Sequence, residues 1–191
     1  LIEGSAWRRR GDRLYRKRWN EEALHAYQQA ARLGLSASES PAMARQRARV
    51  LFRLRRYPEA VEAFKALPSQ GDVPIWYARS LARADRVPEA IEAFESLSKT
   101  GRPALAARAR FLGATLLEGR DFEVRARAHY IKLVEGGGRS GWAEAALWRL
   151  GWMAYQNGED KEAVRYFDQL AARQTESEID QLRPRYWRAR A

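Results

Sequence analysis

Small and apolar residues recur along this chain with the spacing of one helix face. A small residue is followed four positions later by an aromatic residue, and three positions after that by a small or aliphatic one. The triplet occurs five times, as Ala23, Tyr27 and Ala30; Ala60, Phe64 and Leu67; Ala90, Phe94 and Leu97; Ala126, Tyr130 and Leu133; and Ala163, Phe167 and Leu170. Successive triplets lie 37, 30, 36 and 37 positions apart. Since steps of four and three keep side chains on one face of an α-helix, this period predicts a stack of similar helical units.

A second helical pattern precedes each triplet, so the five units are expected to form ten helices, and the start of a sixth unit adds an eleventh helix that is cut short. In three units this pattern contains a glycine: Gly11, Gly113 and Gly151. A glycine inside a helix costs about 1 kcal/mol relative to alanine, so these positions predict a place where two helices cross closely. No segment of the chain alternates apolar and polar residues over the length of a strand, so no sheet is predicted. The residues expected to cap helices or occupy their first turns are Asn20, Ser40, Pro41, Pro58, Asp72, Pro74, Pro88 and Asp160.

The ladder of small residues, Trp or Leu, Gly and aromatic residues resembles the tetratricopeptide repeat. The resemblance implies an all-α fold, a right-handed α-solenoid of antiparallel helix pairs, with about five repeats and the start of a sixth. Residues 1–191 would form a single superhelical domain. The repeats are expected at 5–34, 41–68, 74–98, 103–135 and 142–173, with a partial repeat at 183–191.

Two aromatic segments suggest a more particular relative. Residues 148–155, Trp-Arg-Leu-Gly-Trp-Met-Ala-Tyr, and residues 185–191 look like the superhelical, non-catalytic region of bacterial soluble lytic transglycosylases, which cleave peptidoglycan. The resemblance implies a scaffold that positions a separate catalytic domain and contacts glycan or partner proteins. It also implies a periplasmic or cell-envelope location. No part of the chain resembles the lysozyme-like catalytic domain, so we expect this chain to carry no catalytic residue, although its parent protein would be a transglycosylase.

The composition gives the chain a strong positive charge and excludes several kinds of site that depend on cysteine. The 35 Lys and Arg residues outnumber the 24 Asp and Glu residues, and thirty of the 35 are Arg. Without cysteine, the chain has no disulfide and no thiolate metal site, and a cytoplasmic location stays open as the alternative. No apolar run approaches the roughly 20 residues that span a bilayer. Because the chain begins with Leu1 and has no leader pattern, we expect it to be a piece of a longer protein.

Few residues are candidates for a catalytic, metal-binding or phosphate-binding role. Glu39 lies between serines in a predicted loop, where a solvated or capping role is favoured over that of a general acid. His25 and His129 are far apart in sequence and are expected at helix interfaces rather than in a metal site. The glycine-rich loop at 136–141 lacks the Gly-Lys-Ser/Thr ending of a phosphate-binding loop. We therefore predict no cofactor and no metal.

Basic residues recur on the first helices of several units. Arg45, Arg49 and Arg53 are spaced by four, and Arg79 and Arg83 repeat that spacing one unit later. In tetratricopeptide arrays this face lines the concave groove, which predicts a basic, aromatic-lined groove for an anionic or sugar-bearing partner. The competing interpretation is that the arginines pair with neighbouring Glu and the Trp residues pack between helices. The predicted groove residues are Arg45, Arg49, Arg53, Arg79, Arg83, Trp148, Trp152 and Tyr155.

Two other classes of partner, nucleic acid and protein, fit parts of the sequence. Nucleic acid fits the net charge of +11, but no basic tail, recognition-helix motif or arm is present, so this class is disfavoured. The alternative to the peptidoglycan scaffold is a tetratricopeptide adaptor that mediates protein–protein interaction. A known subclass of such adaptors clamps C-terminal carboxylates with Asn on the first helices, but Asn20 and Asn157 both lie at predicted turns, so this clamp is disfavoured.

Overall fold

The computed structural model describes residues 2–100, 102–136, 141–173 and 178–191. Within these residues the chain forms eleven α-helices and no strand, which confirms the predicted all-α fold. The helices are α1 (Ile2–Arg16), α2 (Asn20–Leu33), α3 (Ser40–Arg53), α4 (Tyr57–Lys65), α5 (Val73–Arg83), α6 (Val87–Leu97), α7 (Pro103–Glu118), α8 (Glu123–Glu135), α9 (Gly141–Gln156), α10 (Asp160–Ala172) and α11 (Glu178–Arg190).

Contacts group the helices into two compact units. The first unit is Leu1–Ala93 and the second unit is Phe94–Ala191. In the first unit α1 packs on α2, α2 on α3, α3 on α4 and α4 on α5. In the second unit the same chain of neighbours runs from α7 to α11. A helix that contacts both the helix before it and the helix after it buries an apolar face between them, as in the helix pairs of an α-solenoid, and this holds for α2, α3, α4, α8, α9 and α10.

The recurring triplets form the core. Every triplet member is buried except Leu67 and Leu97, which are half-buried. The aromatic members Tyr27, Phe64 and Phe167 are at most 2% exposed. Burying a side chain of this size contributes about 1.5–3 kcal/mol, so the period visible in the sequence is the period of the core.

The turns within the helix pairs share one backbone feature. The residues with positive φ in these turns are Arg18, Arg55, Asp85, Asp121 and Gly158, with φ values of 63°, 60°, 60°, 62° and 69°. They are spaced by the same 37, 30, 36 and 37 positions as the triplets. A left-handed residue reverses the chain at the end of one helix so that the next can pack against it. The repeat is thus a repeat of backbone conformation as well as of side chains.

The predicted glycine contacts are present. A Cβ atom added to Gly11 would lie 2.6 Å from Cε1 of Tyr27, and one added to Gly113 would lie 2.9 Å from Cβ of Phe94. Real Cβ atoms essentially never approach so closely, so these positions allow the neighbouring helix to pack in van der Waals contact. In α7 the neighbour is the aromatic residue of the preceding pair rather than of its own pair.

The helix starts differ from the prediction at the capping residues. Asn20 and Asp160 are the first residues of α2 and α10, and neither helix start has a side-chain cap. Ser40 likewise begins α3, and Asp72 precedes α5 without capping it. The proline positions are as expected, because the early turns of α3, α4 and α5 contain Pro41, Pro58 and Pro74.

The last helix is longer than the sequence suggested. A partial repeat was expected from residue 183, but α11 begins at Glu178 and continues through Pro184 to Arg190. None of the helices in the described part of the chain combines the length and apolar composition that a bilayer crossing needs.

Candidate binding groove

A groove of about 680 Å³ lies in the first unit. Its walls come from α1, from α3 and from the residues just before α5. The lining residues are Arg8, Asp12, Tyr15, Arg16, Ala42, Arg45, Gln46, Arg49, Gln70, Gly71 and Asp72. The wall on α1 contains Arg8, Asp12 and Arg16, and the wall on α3 contains Arg45 and Arg49. In both walls the residues are four positions apart, and this spacing keeps their side chains on one helix face.

The wall on α1 is held by an ionic network. Arg8 Nη1 donates to Asp12 Oδ2 at 2.9 Å, and Arg8 Nε donates to Glu39 Oε1 at 3.1 Å. The hydroxyl of Tyr27, buried beneath α1, donates to Asp12 Oδ1 at 2.8 Å. Burial and the neighbouring carboxylate of Asp12 raise the pKa of Tyr27 well above its usual range, so this hydroxyl stays a donor. Both oxygens of Asp12 are therefore engaged inside the protein.

Glu39 joins the same network from the residue before α3. Its carboxylate accepts hydrogen bonds from Ser5 Oγ at 2.7 Å and from Ser36 Oγ at 2.9 Å, in addition to the one from Arg8. The hydrogen bonds from Ser5 and Ser36, and then the Arg8 guanidinium, lower the pKa of Glu39 to about 2. A carboxyl group that is ionised at neutral pH cannot act there as a general acid. The favoured sequence interpretation, a solvated or capping acid, missed these three partners.

Asp72, in the lining of the groove, accepts hydrogen bonds from side chains of both α3 and α5. Arg49 Nη2 donates to both Asp72 oxygens, at 2.9 and 2.7 Å, and Trp76 Nε1 donates to Asp72 Oδ2 at 2.8 Å. The carboxylate is thus held by a guanidinium from α3 and an indole from α5. No local sequence pattern marks the pairing of Asp72 with Arg49, because the two residues lie 23 positions apart on different elements.

Three of the predicted groove arginines lie on aromatic faces, and the most distant of them is Arg49, whose guanidinium is 5.8 Å from the ring centroid of Trp76. The Arg53 guanidinium is 3.8 Å from the ring centroid of Tyr15 and also donates to the Tyr15 carbonyl. The Arg79 guanidinium is 4.5 Å from the ring centroid of Trp76 and 5.2 Å from that of Phe52. Such cation–π contacts contribute about 0.5–1 kcal/mol at exposed sites.

Of the five predicted arginines, the described lining therefore includes Arg45 and Arg49, while Arg53, Arg79 and the exposed Arg83 lie outside it. Gln46 and Gln70 also line the groove, although the sequence analysis did not select them. Uncharged amides in a helix or loop carry no pattern that would have marked them.

The predicted aromatic residues lie in the second unit and form a packed cluster there. Trp148 stacks on Trp152, with ring centroids 6.3 Å apart, and Trp187 of α11 meets Trp152 edge-on at 4.8 Å. Tyr155 is 5.3 Å from Trp187, and the Arg183 guanidinium is 3.6 Å from the centroid of Trp148. The four aromatic rings are half-buried. We call Trp148, Trp152, Tyr155 and Trp187 the aromatic cluster.

The two histidines have separate surroundings. His25 meets Trp7 edge-on, with ring centroids 6.1 Å apart. His129 Nε2 is 3.7 Å from Glu95, its Nδ1 is buried without a hydrogen-bond partner, and burial lowers the pKa of its imidazole. Among the described residues, no group of three or more His, Asp or Glu side chains could hold a metal ion.

Comparison with known families identifies the repeat. Two sequence profiles of the tetratricopeptide repeat match this chain, one at residues 8–73 and one at residues 145–177. The chain is a tetratricopeptide-like α-solenoid. None of the curated protein sequences matches it at a significant level.

Solved structures share the fold of this tetratricopeptide-like chain at low sequence identity. MamA from Desulfovibrio magneticus RS-1 is 20% identical with a TM-score of 0.68, over 96% of this chain and 97% of that one. A tetratricopeptide repeat protein from Parabacteroides merdae is 12% identical with a TM-score of 0.70, over 99% of this chain and 75% of that one. YrrB, described as a tetratricopeptide repeat protein with an unusual peptide-binding site, is 16% identical with a TM-score of 0.61, over 94% of this chain and 90% of that one. No comparison supports the resemblance to lytic transglycosylases.

Proposed function

We propose that this chain is a tetratricopeptide adaptor that mediates protein–protein interaction by holding an extended segment of a partner protein in the groove of the first unit. The observation that carries the proposal is the groove itself, which is open and lined by polar side chains rather than filled by neighbouring helices. An extended peptide has free backbone donors and acceptors. The amide of Gln70 offers partners for both, and Gln46, whose Oε1 accepts a hydrogen bond from Arg49 Nη1 at 3.3 Å, offers its amide N–H donors. The tetratricopeptide-like fold supports a protein-interaction scaffold, and no comparison supports a link to lytic transglycosylases.

The groove can be tested by filling it. Ala42 lies in the lining, and Ala6 is an exposed residue of α1 that does not line the groove. Peptides selected from a random displayed library on the unaltered chain should lose binding to an Ala42→Trp variant and keep binding to an Ala6→Trp variant. Hydrogen exchange with a selected peptide should protect amides of α1 and α3.

The opposite results would reject the groove. If no peptide is selected above an unrelated helical protein, or if both Trp variants bind selected peptides alike, the proposed site is wrong. Thermal unfolding of the two variants shows whether each remains folded, so that lost binding is not mistaken for lost structure.

The peptidoglycan scaffold is the second candidate, and the aromatic cluster is the observation in its favour. Aromatic rings flanked by guanidinium groups suit the faces and acidic substituents of glycans, and a lytic transglycosylase scaffold would place the chain in the periplasm or cell envelope. Against it, Trp152 and Trp187 pack edge-on against each other, which leaves less of each ring free. Co-sedimentation with insoluble peptidoglycan tests this candidate. Salt-resistant binding that is lost on Trp152→Ala would favour it over the adaptor.

A further inference from the structure

The charges that line the groove fall into two classes. Asp12 and Asp72 are the two carboxylates of the lining, and Arg8 and Arg49 occupy them through hydrogen bonds of 2.7–2.9 Å. These pairs are partly buried and joined to further partners, so their charges largely cancel within the wall. They shape the groove and contribute little net attraction for a ligand.

The other class is Arg16 and Arg45. Both line the groove and both are exposed, and within the described residues neither makes an ion pair, a side-chain hydrogen bond or an aromatic contact. Arg16 is the last residue of α1 and Arg45 lies in α3, so their guanidinium groups come from two different walls. A guanidinium offers five donors in a planar fork that matches a carboxylate. The groove therefore has two unsatisfied anion-binding groups.

Resting on the proposed function, we propose that the partner segment is acidic, with internal Asp or Glu side chains bound by Arg16 and Arg45. The unpaired arginines supply the charge complementarity, and Gln46 and Gln70 can bond the neutral backbone between the acidic side chains.

The wall favours a polypeptide over a nucleic acid or a glycan. The described lining contains a single aromatic residue, Tyr15, and the Arg53 guanidinium already covers one face of its ring at 3.8 Å. Stacking on aromatic rings is a main source of affinity for single-stranded nucleic acid, and Tyr15 has little to offer it.

The experiment measures binding of short labelled peptides with both ends blocked, so that only side chains supply charge. The probes are a peptide of alternating Glu and Ser and its Gln–Ser counterpart, with oligothymidylate as the nucleic-acid arm. We compare the unaltered chain with a double variant, Arg16→Gln with Arg45→Gln. The matched control is Arg9→Gln with Arg13→Gln, which removes the same charge from exposed positions of α1 outside the lining.

The expected result is that the Glu–Ser peptide binds and the Gln–Ser peptide does not. The Arg16 and Arg45 variant should lose about tenfold in affinity, because each exposed ion pair contributes up to about 1 kcal/mol. The Arg9 and Arg13 variant should lose about twofold or less, through weaker long-range attraction. Equal losses in the two variants would overturn the proposal, since attraction would then come from diffuse net charge. Oligothymidylate binding as tightly as the Glu–Ser peptide, with the same dependence on Arg16 and Arg45, would also overturn it.

The test separates this inference from the proposed function. If library-selected peptides bind the groove but tolerate Glu→Gln changes and loss of Arg16 and Arg45, the adaptor function stands and the acidic ligand is wrong. If no peptide binds the groove at all, the adaptor proposal itself fails.

Discussion

Gly151 lies directly against the ring of Phe167. A Cβ atom added to Gly151 would be 2.6 Å from Cε1 of Phe167 and 2.9 Å from its Cδ1. Phe167 is fully buried and held by α9 and α10, so its ring has no space to retreat. The glycine is thus required by the distance between two helices, not by backbone conformation.

Gly151→Ala should therefore destabilise the chain. Forcing one methyl group into a packed core costs about 1–3 kcal/mol, more than the gain in helix propensity of about 1 kcal/mol. Chemical denaturation followed by circular dichroism measures the change in free energy of unfolding. Gly119→Ala is the matched control, because the φ of Gly119 is −69° and an added Cβ would be 3.5 Å from the carbonyl oxygen of Thr115. That substitution should be neutral or stabilising, and a similar loss at both glycines would contradict the packing argument.

Two substitutions with opposite expected effects on stability test the positive φ of the turn residues. Arg55 holds φ at 60°, a conformation in which most L-residues are strained and Asn is tolerated. Arg55→Asn should raise the free energy of unfolding by about 0.5 kcal/mol. Gly158 has φ at 69° with open space around an added Cβ, so Gly158→Ala should lower the free energy of unfolding by about 1 kcal/mol through backbone strain alone. Thermal unfolding of both variants checks the signs, and the same sign in both would refute the role of φ.

The sequence predicts the helices and core of this protein well because their causes are local. Ala163 and Phe167 share a helix face by their spacing alone, and the period of such triplets identifies the repeat before any contact is known. The close approach at Gly11 was also readable, since a glycine inside a helix requires a reason.

The groove was harder to predict because its charges are decided by residues on other helices. Arg45 and Arg53 look alike in the sequence, yet Arg53 covers Tyr15 of α1 while Arg45 has no partner in the described chain. Asp72 has the type and position of a helix cap, but Arg49 and Trp76 take its oxygens. Which arginine remains available to a ligand depends on such distant pairings.

The hydrogen bonds to Glu39 predict a dependence of stability on pH. The pKa of Glu39 falls from 4.5 to about 2 on folding, so the folded state favours the ionised form. Its contribution is fully present above pH 4.5 and is lost as the pH falls towards about 2. Glu39→Gln should therefore lower Tm at neutral pH, and the difference from the unaltered chain should shrink between pH 4.5 and 2.

The control for Glu39 is Glu22→Gln, which removes a carboxylate from the exposed face of α2. It should change Tm little at any pH. A difference in Tm for Glu39→Gln that persists undiminished at the lowest pH would show that the carboxylate charge is not what stabilises the loop before α3.

The aromatic cluster predicts unequal roles for two adjacent residues of α11. Trp187 is half-buried, with its ring centroid 4.8 Å from that of Trp152 and 5.3 Å from that of Tyr155, whereas Tyr186 is 55% exposed. Trp187→Ala removes three edge-on aromatic contacts, with Trp152, Tyr155 and Tyr186, each worth about 0.5–1.5 kcal/mol, together with the buried area of the ring, whereas Tyr186→Ala removes only one of them. We expect it to lower the free energy of unfolding by about 2–3 kcal/mol. Tyr186→Ala should cost less than about 1 kcal/mol, as exposed substitutions do.

Urea unfolding followed by far-ultraviolet circular dichroism compares the free energy of unfolding of the two variants. Equal losses in the free energy of unfolding for Trp187→Ala and Tyr186→Ala would contradict this prediction. Contacts other than the Trp187 ring would then hold α11 in place, and the rings of Trp152 and Tyr155 would be free to face a ligand.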